Sequence, residues 1–291
     1  MPIWKAVLLG LVQGIAEFLP ISSSGHLIII KKMLGVDLES GGTFFNVMLH
    51  LGTLFAIIFA FRKQVGKLII ESIRIIIDIF ANFLIFFKRF ADRKIPYRRI
   101  VKSSYRKFAI LIVVSSIPTA IIGIFMSEIV ETANDMIIVP GICMLITAIF
   151  LLIADILEIG DKKPRDVSYG NAVAVGVAQG LSTMPGISRS GTTITAGLLC
   201  GFDKKFAVQY SFIMSIPAVV GAGILELRNV KNFTMPQSDI IACVIATVIA
   251  GLSGYVAICL MLALVKGRKY KYFSLYCVIV AFITMGYYYF A

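Results

Sequence analysis

The stretch QGIAEFLPISSSGH, residues 13–26, interrupts an apolar segment with Pro, Gly and hydroxyl residues, and QGLSTMPGISRSGTT, residues 179–193, repeats the interruption. Around them, segments 6–37 and 172–203 align without a gap, with twelve identities in 32 positions. The matches cluster on Gln, Gly and Ser rather than on Leu, Ile and Val, so a shared apolar bias does not explain them. The chain therefore contains one element twice.

Composition places the chain in a membrane. Hydrophobic residues make up 58% of it and charged residues 15%, and the mean hydropathy is +0.91. Soluble domains average about 45–50% apolar and about 25% charged residues. The five cysteines lie singly inside apolar runs, without CxxC pairs or His-rich spacing, so we interpret them as small apolar residues. We expect residues 1–291 to form a single integral membrane domain.

The net charge of +12 is concentrated in short segments between apolar runs. Residues 62–107 contain thirteen Lys or Arg and only three acidic residues, and smaller basic clusters lie at 162–165, 204–205 and 266–271. The positive-inside rule produces this arrangement in polytopic membrane proteins. The charge therefore indicates a lipid bilayer as the partner and excludes a nucleic-acid interpretation.

Six segments have the length and apolarity of membrane-crossing helices, which need about 20 residues. They are residues 43–61, 108–126, 136–155, 207–226, 240–265 and 273–290. Segment 68–87 is also apolar, but its charged residues recur every three or four positions, which favours a helix in the cytoplasmic interface over a spanning helix. Charge bias places the basic loops 62–107, 156–168 and 266–272 inside and the acidic loop 127–135 outside.

With this orientation, segment 3–40 begins and ends outside, and segment 168–203 begins and ends inside. We predict two re-entrant helix-loop-helix hairpins that enter from opposite faces. Repeat 1 covers about residues 3–126 and repeat 2 about residues 168–290. Inverted repeats with broken helices bring their polar loops together near the bilayer midplane. The predicted fold is thus an all-α polytopic membrane protein with an inverted-topology repeat, two re-entrant hairpins and about six transmembrane helices.

The two loops suit an anion. Pro and Gly break the helices, so that free N–H groups and positive dipole ends point into a cavity, and the interleaved hydroxyls add further donors. Such a nest binds phosphate or carboxylate. The residues that we expect to bind substrate are Gln13, Ser22, Ser24, Gly25, Ser188, Ser190, Gly191, Thr192 and Thr193.

The two copies differ at three chemically important positions. Glu17 in the first loop corresponds to Thr183, Ser23 corresponds to Arg189, and His26 corresponds to Thr192. Arg189 could bind phosphate oxygens in a bidentate manner. Glu17 could hold a divalent cation, act as a base, or serve as the charge partner of Arg189. His26 could be a nucleophile, an acid for the leaving group, or a packing residue.

These loops resemble the two signatures of the bacitracin-resistance-type undecaprenyl-diphosphate phosphatases. Gln13-x-x-x-Glu17 followed by PISSSGH, residues 20–26, is similar to the first signature. PGISRSGTT, residues 185–193, matches the second, Pro-Gly-x-Ser-Arg-Ser-x-x-Thr, at every specified position, and FIMSIPA, residues 212–218, is similar to the segment that follows. The first signature opens on Glu or Gln. Because this chain has Gln13, Glu17 carries any carboxylate role alone.

The resemblance implies hydrolysis of undecaprenyl diphosphate, a polyprenyl diphosphate lipid, to undecaprenyl phosphate and inorganic phosphate. It also implies recycling of the carrier lipid for cell-wall synthesis, resistance to bacitracin, and dependence on Mg2+ or Ca2+. The expected location is the bacterial cytoplasmic (inner) membrane, with the active site open to the outer face. Arg189 would grip the diphosphate, Glu17 would serve metal or base chemistry, and Ser23 or His26 would be the nucleophile.

A different class of protein shares much of this pattern. Secondary transporters and lipid flippases also use inverted repeats with broken helices at midplane, and an anion carrier would need Arg189 and the hydroxyl nest. Such a carrier has less use for Glu17 and His26 beside a serine cluster. The sequence leaves the oligomeric state open, with a homodimer as one option.

Overall fold

A computed structural model describes residues 1–36, 42–90, 94–158, 160–229, 236–267 and 269–290. Within these residues the chain forms eleven α-helices. They are α1 Ile3–Phe18, α2 Ser23–Met33, α3 Gly42–Ala60, α4 Arg62–Lys88, α5 Ser104–Asp135, α6 Ile138–Ile156, α7 Tyr169–Leu181, α8 Arg189–Leu199, α9 Lys204–Asn229, α10 Gln237–Leu264 and α11 Tyr270–Phe290. Residues 37–40, which end the predicted first hairpin, lie outside the described part of the chain.

The all-α membrane architecture is confirmed. Five helices, namely α5, α6, α9, α10 and α11, are long and apolar enough to cross a bilayer. Helices α3 and α4 meet the same standard only together, as a pair bent by 89° at Phe61, which raises the possible number of spans to six. This agrees with the predicted count of about six.

The region after α3 is mostly helical. Helix α4 fills much of the predicted basic loop 62–107 and leaves α3 at nearly a right angle, as an interfacial helix would. Its acidic side chains point toward α5, where Arg106 donates to Asp78 Oδ2 at 2.6 Å and to Glu71 Oε2 at 2.7 Å. The opposite face of α4 exposes large apolar side chains, among them Ile69, Ile73, Ile76, Phe80 and Phe83.

The prediction of an acidic loop at 127–135 is wrong. These residues form the last turns of α5, which runs to Asp135. The segment contains neither Pro nor Gly, and Glu and Ala are strong helix formers, so the helix continues after the apolar run has ended. Hydropathy marks where a chain leaves the apolar phase and carries no information about where its helix stops.

The two hairpins have the same local structure. In each, a serine caps the second helix: Ser22 Oγ accepts from Gly25 N at 3.3 Å, and Ser188 Oγ accepts from Gly191 N at 3.1 Å. Each second helix ends at a glycine in the left-handed region, Gly35 at φ 57° and Gly201 at φ 80°. The repeated glycine in the sequence thus marks the same helix stop twice.

The first helix of each hairpin packs on a long helix of the other half. Helix α1 lies along α10, and α7 lies along α5. A Cβ at Gly10 would come within 2.5 Å of the Ala246 carbonyl oxygen, and one at the equivalent Gly176 within 2.2 Å of the Ser115 carbonyl oxygen. These glycines allow the backbones to approach closely, which is how helices associate in lipid without a hydrophobic driving force. Helix α3 packs mainly on α10 and also contacts α9, and α6 pairs with α11.

Helices α1, α2, α7 and α8 are too short to cross a bilayer, because even the longest, α1 with 16 residues, extends only about 24 Å. The loops that join α1 to α2 and α7 to α8 lie level with the middle of the spanning helix α6. The Gly186 carbonyl accepts from the hydroxyl of Thr147 at 3.0 Å, and Thr147 is the central residue of α6. The core of the fold thus holds both polar loops at mid-depth, while re-entry from opposite faces stays a prediction.

Candidate active site

Glu17, in the last turn of α1, is the centre of the site. Its side chain is 4% exposed. Oxygen Oε1 accepts from Arg189 Nη2 at 2.7 Å, and Oε2 accepts from Ser23 Oγ at 2.5 Å and from Gln13 Nε2 at 3.0 Å. A buried carboxylate is stable only when it is paired and hydrogen-bonded, and this one has both kinds of partner.

The two loops meet, as the duplication predicted. Besides the ion pair, the Gly186 N–H donates to Ser24 Oγ at 3.4 Å and the Ser190 hydroxyl donates to the Leu19 carbonyl at 3.4 Å. A Cβ at Gly25 would lie 3.1 Å from the Gly186 Cα. The small residues therefore let the loops touch backbone to backbone.

Ser23 and Arg189 occupy the same position in the two copies. Each is the first residue of its hairpin's second helix, Ser23 of α2 and Arg189 of α8. Both therefore lie at a helix N-terminus, where unpaired N–H groups and the helix dipole favour negative charge. A hydroxyl and a guanidinium project from equivalent sites toward one carboxylate.

Two buried polar atoms at this place have no partner among the described residues. They are Arg189 Nη1 and the Thr192 hydroxyl, both in the first turn of α8. Unpaired buried donors are costly and are found where a ligand or water satisfies them. The first turn of α8 thus offers donors that the protein itself does not use.

His26 is held by two contacts on the adjoining turn of α2. Its Nδ1 lies 2.7 Å from the Ser22 carbonyl oxygen, which can only accept, so Nδ1 carries the proton. Nε2 lies 2.7 Å from the Tyr276 hydroxyl, and the two rings stack at a 5.6 Å centroid distance. Neither nitrogen contacts Glu17, Ser23 or Arg189 through a hydrogen bond. Sequence reasoning missed Tyr276, which comes from α11.

His50 is the second residue that sequence reasoning missed. It lies in the apolar stretch Leu49-His50-Leu51-Gly52, a setting typical of a packing residue, and it reaches the site from α3. Its Nδ1 lies 3.2 Å from Gln13 Nε2 and 3.7 Å from Glu17 Oε1. The Glu17 carboxylate therefore has a histidine beside it that is 38% exposed. The sequence indicates only that the chain has two histidines, and it does not show which of them lies near Glu17.

The sequence of the chain, including both loops, matches a known protein family and several named proteins. The family model "Bacitracin resistance protein BacA" matches residues 6–283. An undecaprenyl-diphosphatase of Methanosphaera stadtmanae is 40% identical over 285 residues, which cover 98% of each chain. One of Alkaliphilus metalliredigens is 36% identical over 276 residues, 95% of each chain, and one of Halothermothrix orenii is 36% identical over 285 residues, 98% of each.

The chain belongs to the BacA family. The match spans both loops and nearly all the helices that hold them, so membership rests on almost the whole sequence rather than on two short motifs. The chain is therefore a multi-pass membrane protein of this family, with helices suited to a lipid bilayer.

The other hydroxyls predicted to bind substrate in this BacA-family protein have different surroundings. Ser22 is the helix cap and has a φ of 71°, unusual for a residue other than Gly and a sign of a constrained turn. Ser188 N–H donates to the Thr147 hydroxyl at 2.9 Å. The Thr193 hydroxyl is engaged with the Arg189 carbonyl at 2.8 Å and Ser211 Oγ at 2.6 Å. These residues therefore hold the turns and the starts of α2 and α8 in place, through side chains and, for Ser188, also through the backbone.

The donors around Glu17 fit a divalent cation held jointly with phosphate. Within the described residues no group of three or more His, Cys, Asp or Glu side chains could form a metal cage. However, Gln13 Oε1 is buried and has no partner among the described residues, and it belongs to the amide whose Nε2 donates to the carboxylate. Mg2+ prefers oxygen ligands and usually binds through one or two carboxylates plus substrate phosphates. One carboxylate and one amide oxygen are compatible with that mode.

Proposed function

We propose that this chain hydrolyses undecaprenyl diphosphate to undecaprenyl phosphate and inorganic phosphate. The hydrogen bond between Ser23 Oγ and Glu17 Oε2, at 2.5 Å, carries the proposal, because it pairs a nucleophile with a base beside unused phosphate donors. Three relatives with the name undecaprenyl-diphosphatase, at 36–40% identity over nearly the whole chain, support the substrate class.

The diphosphate would bind at the converging starts of α2 and α8. Arg189 uses Nη2 for Glu17, while Nη1 is unpaired, so one guanidinium can hold the base and contact the terminal phosphate together. The unpaired Thr192 hydroxyl and the N–H groups of the two helix starts add neutral donors. The strong, fixed donors lie where negative charge increases during phosphoryl transfer.

In the first step, Ser23 Oγ would attack the terminal phosphorus. Its proton passes to Glu17 Oε2, an Oγ–P bond forms, and the bond from phosphorus to the bridging oxygen breaks. Undecaprenyl phosphate leaves with the electron pair of that bond. Glu17 then passes its proton to the departing phosphate oxygen and is again a carboxylate. In the second step, water attacks the phosphoserine, Glu17 accepts a proton from that water, and it returns this proton to Ser23 Oγ as the Oγ–P bond breaks and inorganic phosphate is released. The overall reaction consumes one water molecule and no other reactant.

Of the two candidate nucleophiles, Ser23 is favoured over His26. The reason is that both His26 nitrogens already contact other groups, Ser22 on one side and Tyr276 on the other, whereas the Ser23 hydroxyl points at a base. We assign His26 the role of a positioning residue, which ties the constrained Ser22 carbonyl to α11. That bond fixes the turn from which Ser23 projects.

A divalent cation, Mg2+ or Ca2+, is part of the proposal. Glu17 and Gln13 Oε1 would hold it, and when bound it would neutralise charge on the phosphate oxygens. The residues of the site all come from one chain, so the proposed reaction does not require a homodimer.

We further propose that the protein lies in the bacterial cytoplasmic membrane with the site open to its outer face, where it recycles the carrier lipid for cell-wall synthesis and confers resistance to bacitracin. Charge bias supports this orientation. In the variant Tyr97→Cys, a thiol reagent that does not cross membranes should label residue 97 only after permeabilisation. Labelling of intact cells would reverse the orientation.

The deciding experiment is phosphate release from a short-chain polyprenyl diphosphate by the detergent-purified protein, with and without EDTA. Release that depends on added Mg2+ or Ca2+ is expected. If no metal condition gives release, the hydrolase proposal is wrong. Uptake of the intact diphosphate into protein-containing liposomes would then favour the transporter alternative.

A further inference from the structure

A second concentration of positive charge lies where α5 and α7 begin, away from the Glu17–Arg189 pair. A cavity of about 500 Å³ opens there. Small-molecule sites have volumes of about 300–1,000 Å³, so the cavity is large enough for a headgroup-sized ligand. Its polar lining consists of Arg99, Lys102, Ser103, Lys107, Arg165 and Tyr169.

The charges of the lining are all of one sign. Four of its side chains are cationic and none is acidic. Lys102 is compensated, because its Nζ donates to Asp78 Oδ2 at 3.0 Å. In the part of the chain that the structure describes, Arg99, Lys107 and Arg165 form no ion pair. A cleft lined by uncompensated charge of one sign focuses the field and concentrates counter-ions.

The walls of the cavity are fixed by a contact between two of its lining residues and by the caps of the two helices. Lys107 Nζ lies 3.5 Å from the centroid of the Tyr169 ring, which joins α5 to α7. Ser103 caps α5 by accepting from Arg106 N at 3.2 Å, and Ser168 caps α7 by accepting from Asn171 N at 3.0 Å. The cationic groups are thus carried by two capped helix starts and the adjoining loops.

We propose that this cavity binds a phosphate group, as a lipid headgroup phosphodiester or as free phosphate. Arginine forks match phosphate oxygens, and Arg99 and Arg165 supply two of them from different loops. Positive-inside bias places the cavity on the cytoplasmic side, where basic pockets between membrane helices meet anionic headgroups. The 13 residues of α7, about 20 Å of helix, separate it from the candidate active site, so the inference stands independently of the proposed hydrolysis.

The test compares two triple variants of the full-length purified protein. Arg99→Gln, Lys107→Gln and Arg165→Gln remove the uncompensated cavity charges. Lys63→Gln, Lys205→Gln and Lys271→Gln remove the same net charge from exposed positions on the same predicted side. Binding of short-chain phosphatidylglycerol, with phosphatidylcholine as the neutral reference, is measured by native mass spectrometry, and inorganic phosphate is added as competitor.

We expect the cavity variant to lose at least about tenfold in phosphatidylglycerol affinity, since two or more charged contacts are lost, and the surface variant to stay within twofold of the native protein. If millimolar inorganic phosphate displaces the lipid only when the cavity is intact, the physiological ligand is free phosphate. Failure to displace it identifies the headgroup. Both results support the site.

Equal binding by all three proteins, or equal loss in both triple variants, overturns the proposal. If the cavity triple variant does not fold, Arg165→Gln alone carries the test, because its side chain is exposed and helps cap neither helix. Hydrolysis of a short-chain diphosphate should be unchanged in Arg165→Gln, which separates failure of this site from failure of the proposed activity.

Discussion

Arg189 and Glu17, 172 positions apart in the sequence, form an ion pair of 2.7 Å across the junction of the two hairpins. Arg189 takes the position that Ser23 holds in the other copy, and Glu17 takes that of Thr183. The duplication created one fold twice, and substitution at paired positions then placed a cation from one copy against an anion from the other. The pair is both a structural bond between the hairpins and the polar centre of the site.

Replacing Arg189 by Lys tests the proposed bridge that the guanidinium forms between Glu17 and the phosphate. An ammonium can keep the ion pair with Glu17 but cannot also contact the phosphate with a second fixed donor. We expect kcat/KM for phosphate release to fall roughly 100-fold, as for loss of one preorganised donor. The control is Arg74→Lys, which changes an exposed arginine that pairs with Glu71, and its kcat/KM should be near that of the native protein. Native turnover in Arg189→Lys would remove this residue from phosphate binding.

Replacing Ser23 by Ala tests the nucleophile. We expect turnover by Ser23→Ala to fall to background. After acid quench, the variant should carry no phosphate on the peptide that contains residue 23. Native protein quenched during turnover should carry that phosphoserine, measured by mass spectrometry. Ser127→Ala, which removes a hydroxyl bonded only to its own helix at Ile124, is the control. Phosphate found on His26 would contradict the assignment.

Replacing His50 tests a residue that the sequence did not identify. Its Nδ1 lies 3.2 Å from Gln13 Nε2, so loss of the ring removes an acceptor that orients the amide beside Glu17. We expect His50→Ala to lower kcat about tenfold, the kinetic equivalent of one hydrogen bond to a charged cluster. His50→Gln restores an acceptor and should recover most activity. Equal activity of all three proteins would exclude the positioning role.

Metal removal tests the cation proposal. EDTA should abolish phosphate release, and Mg2+ or Ca2+ should restore it. Gln13→Glu adds a second carboxylate next to Glu17 and should lower the half-saturating metal concentration several-fold, because a divalent cation binds charged oxygen more strongly than amide oxygen. Activity that persists in EDTA would contradict the role given to the cation. A metal response unchanged by Gln13→Glu would exclude Gln13 as a ligand.

The close packing of α1 on α10 predicts that replacing a glycine by alanine has opposite effects on stability at Gly14 and at Gly66. A Cβ at Gly14 would lie 2.4 Å from the Ala250 carbonyl oxygen and 2.7 Å from the Gly254 nitrogen, whereas one at Gly66 in α4 would meet nothing within 4 Å. Gly14→Ala should destabilise by about 1–3 kcal/mol or more through overpacking. Gly66→Ala should stabilise by about 0.5–1 kcal/mol through helix propensity. The midpoint of thermal unfolding in detergent measures both, and equal shifts would contradict the packing.

The hairpins could be predicted because duplication supplies an internal comparison. Matching Gly and Ser residues mark the breaks, and mismatched residues such as Glu17 and Arg189 mark the specialised chemistry. Once the two polar loops share one membrane depth, their meeting follows from the cost of leaving irregular polar backbone in lipid.

Other contacts could not be predicted because they depend on helix rotation and register. His50 and Tyr276 lie on apolar helices, α3 and α11, whose faces are apolar both toward lipid and toward protein. The pattern of hydrophobic residues therefore does not say which face is inward. The extension of α5 to Asp135 was missed for a related reason, since a helix that has already formed can continue through polar residues beyond its apolar run.

The pairing of α1 with α10 has a consequence for how the protein is made. Helix α1 is complete at Phe18, while α10 begins at Gln237, so the ribosome must add most of the chain before the groove at Gly10 and Gly14 meets its partner. At about 5–20 residues per second the interval is roughly 10 to 45 s. During this interval α1, which carries Gln13 and Glu17, lies in or beside the bilayer without its packing partner α10. The α1–α10 contact is therefore among the last to form during synthesis, and α1 is made long before the helix that covers its glycine face.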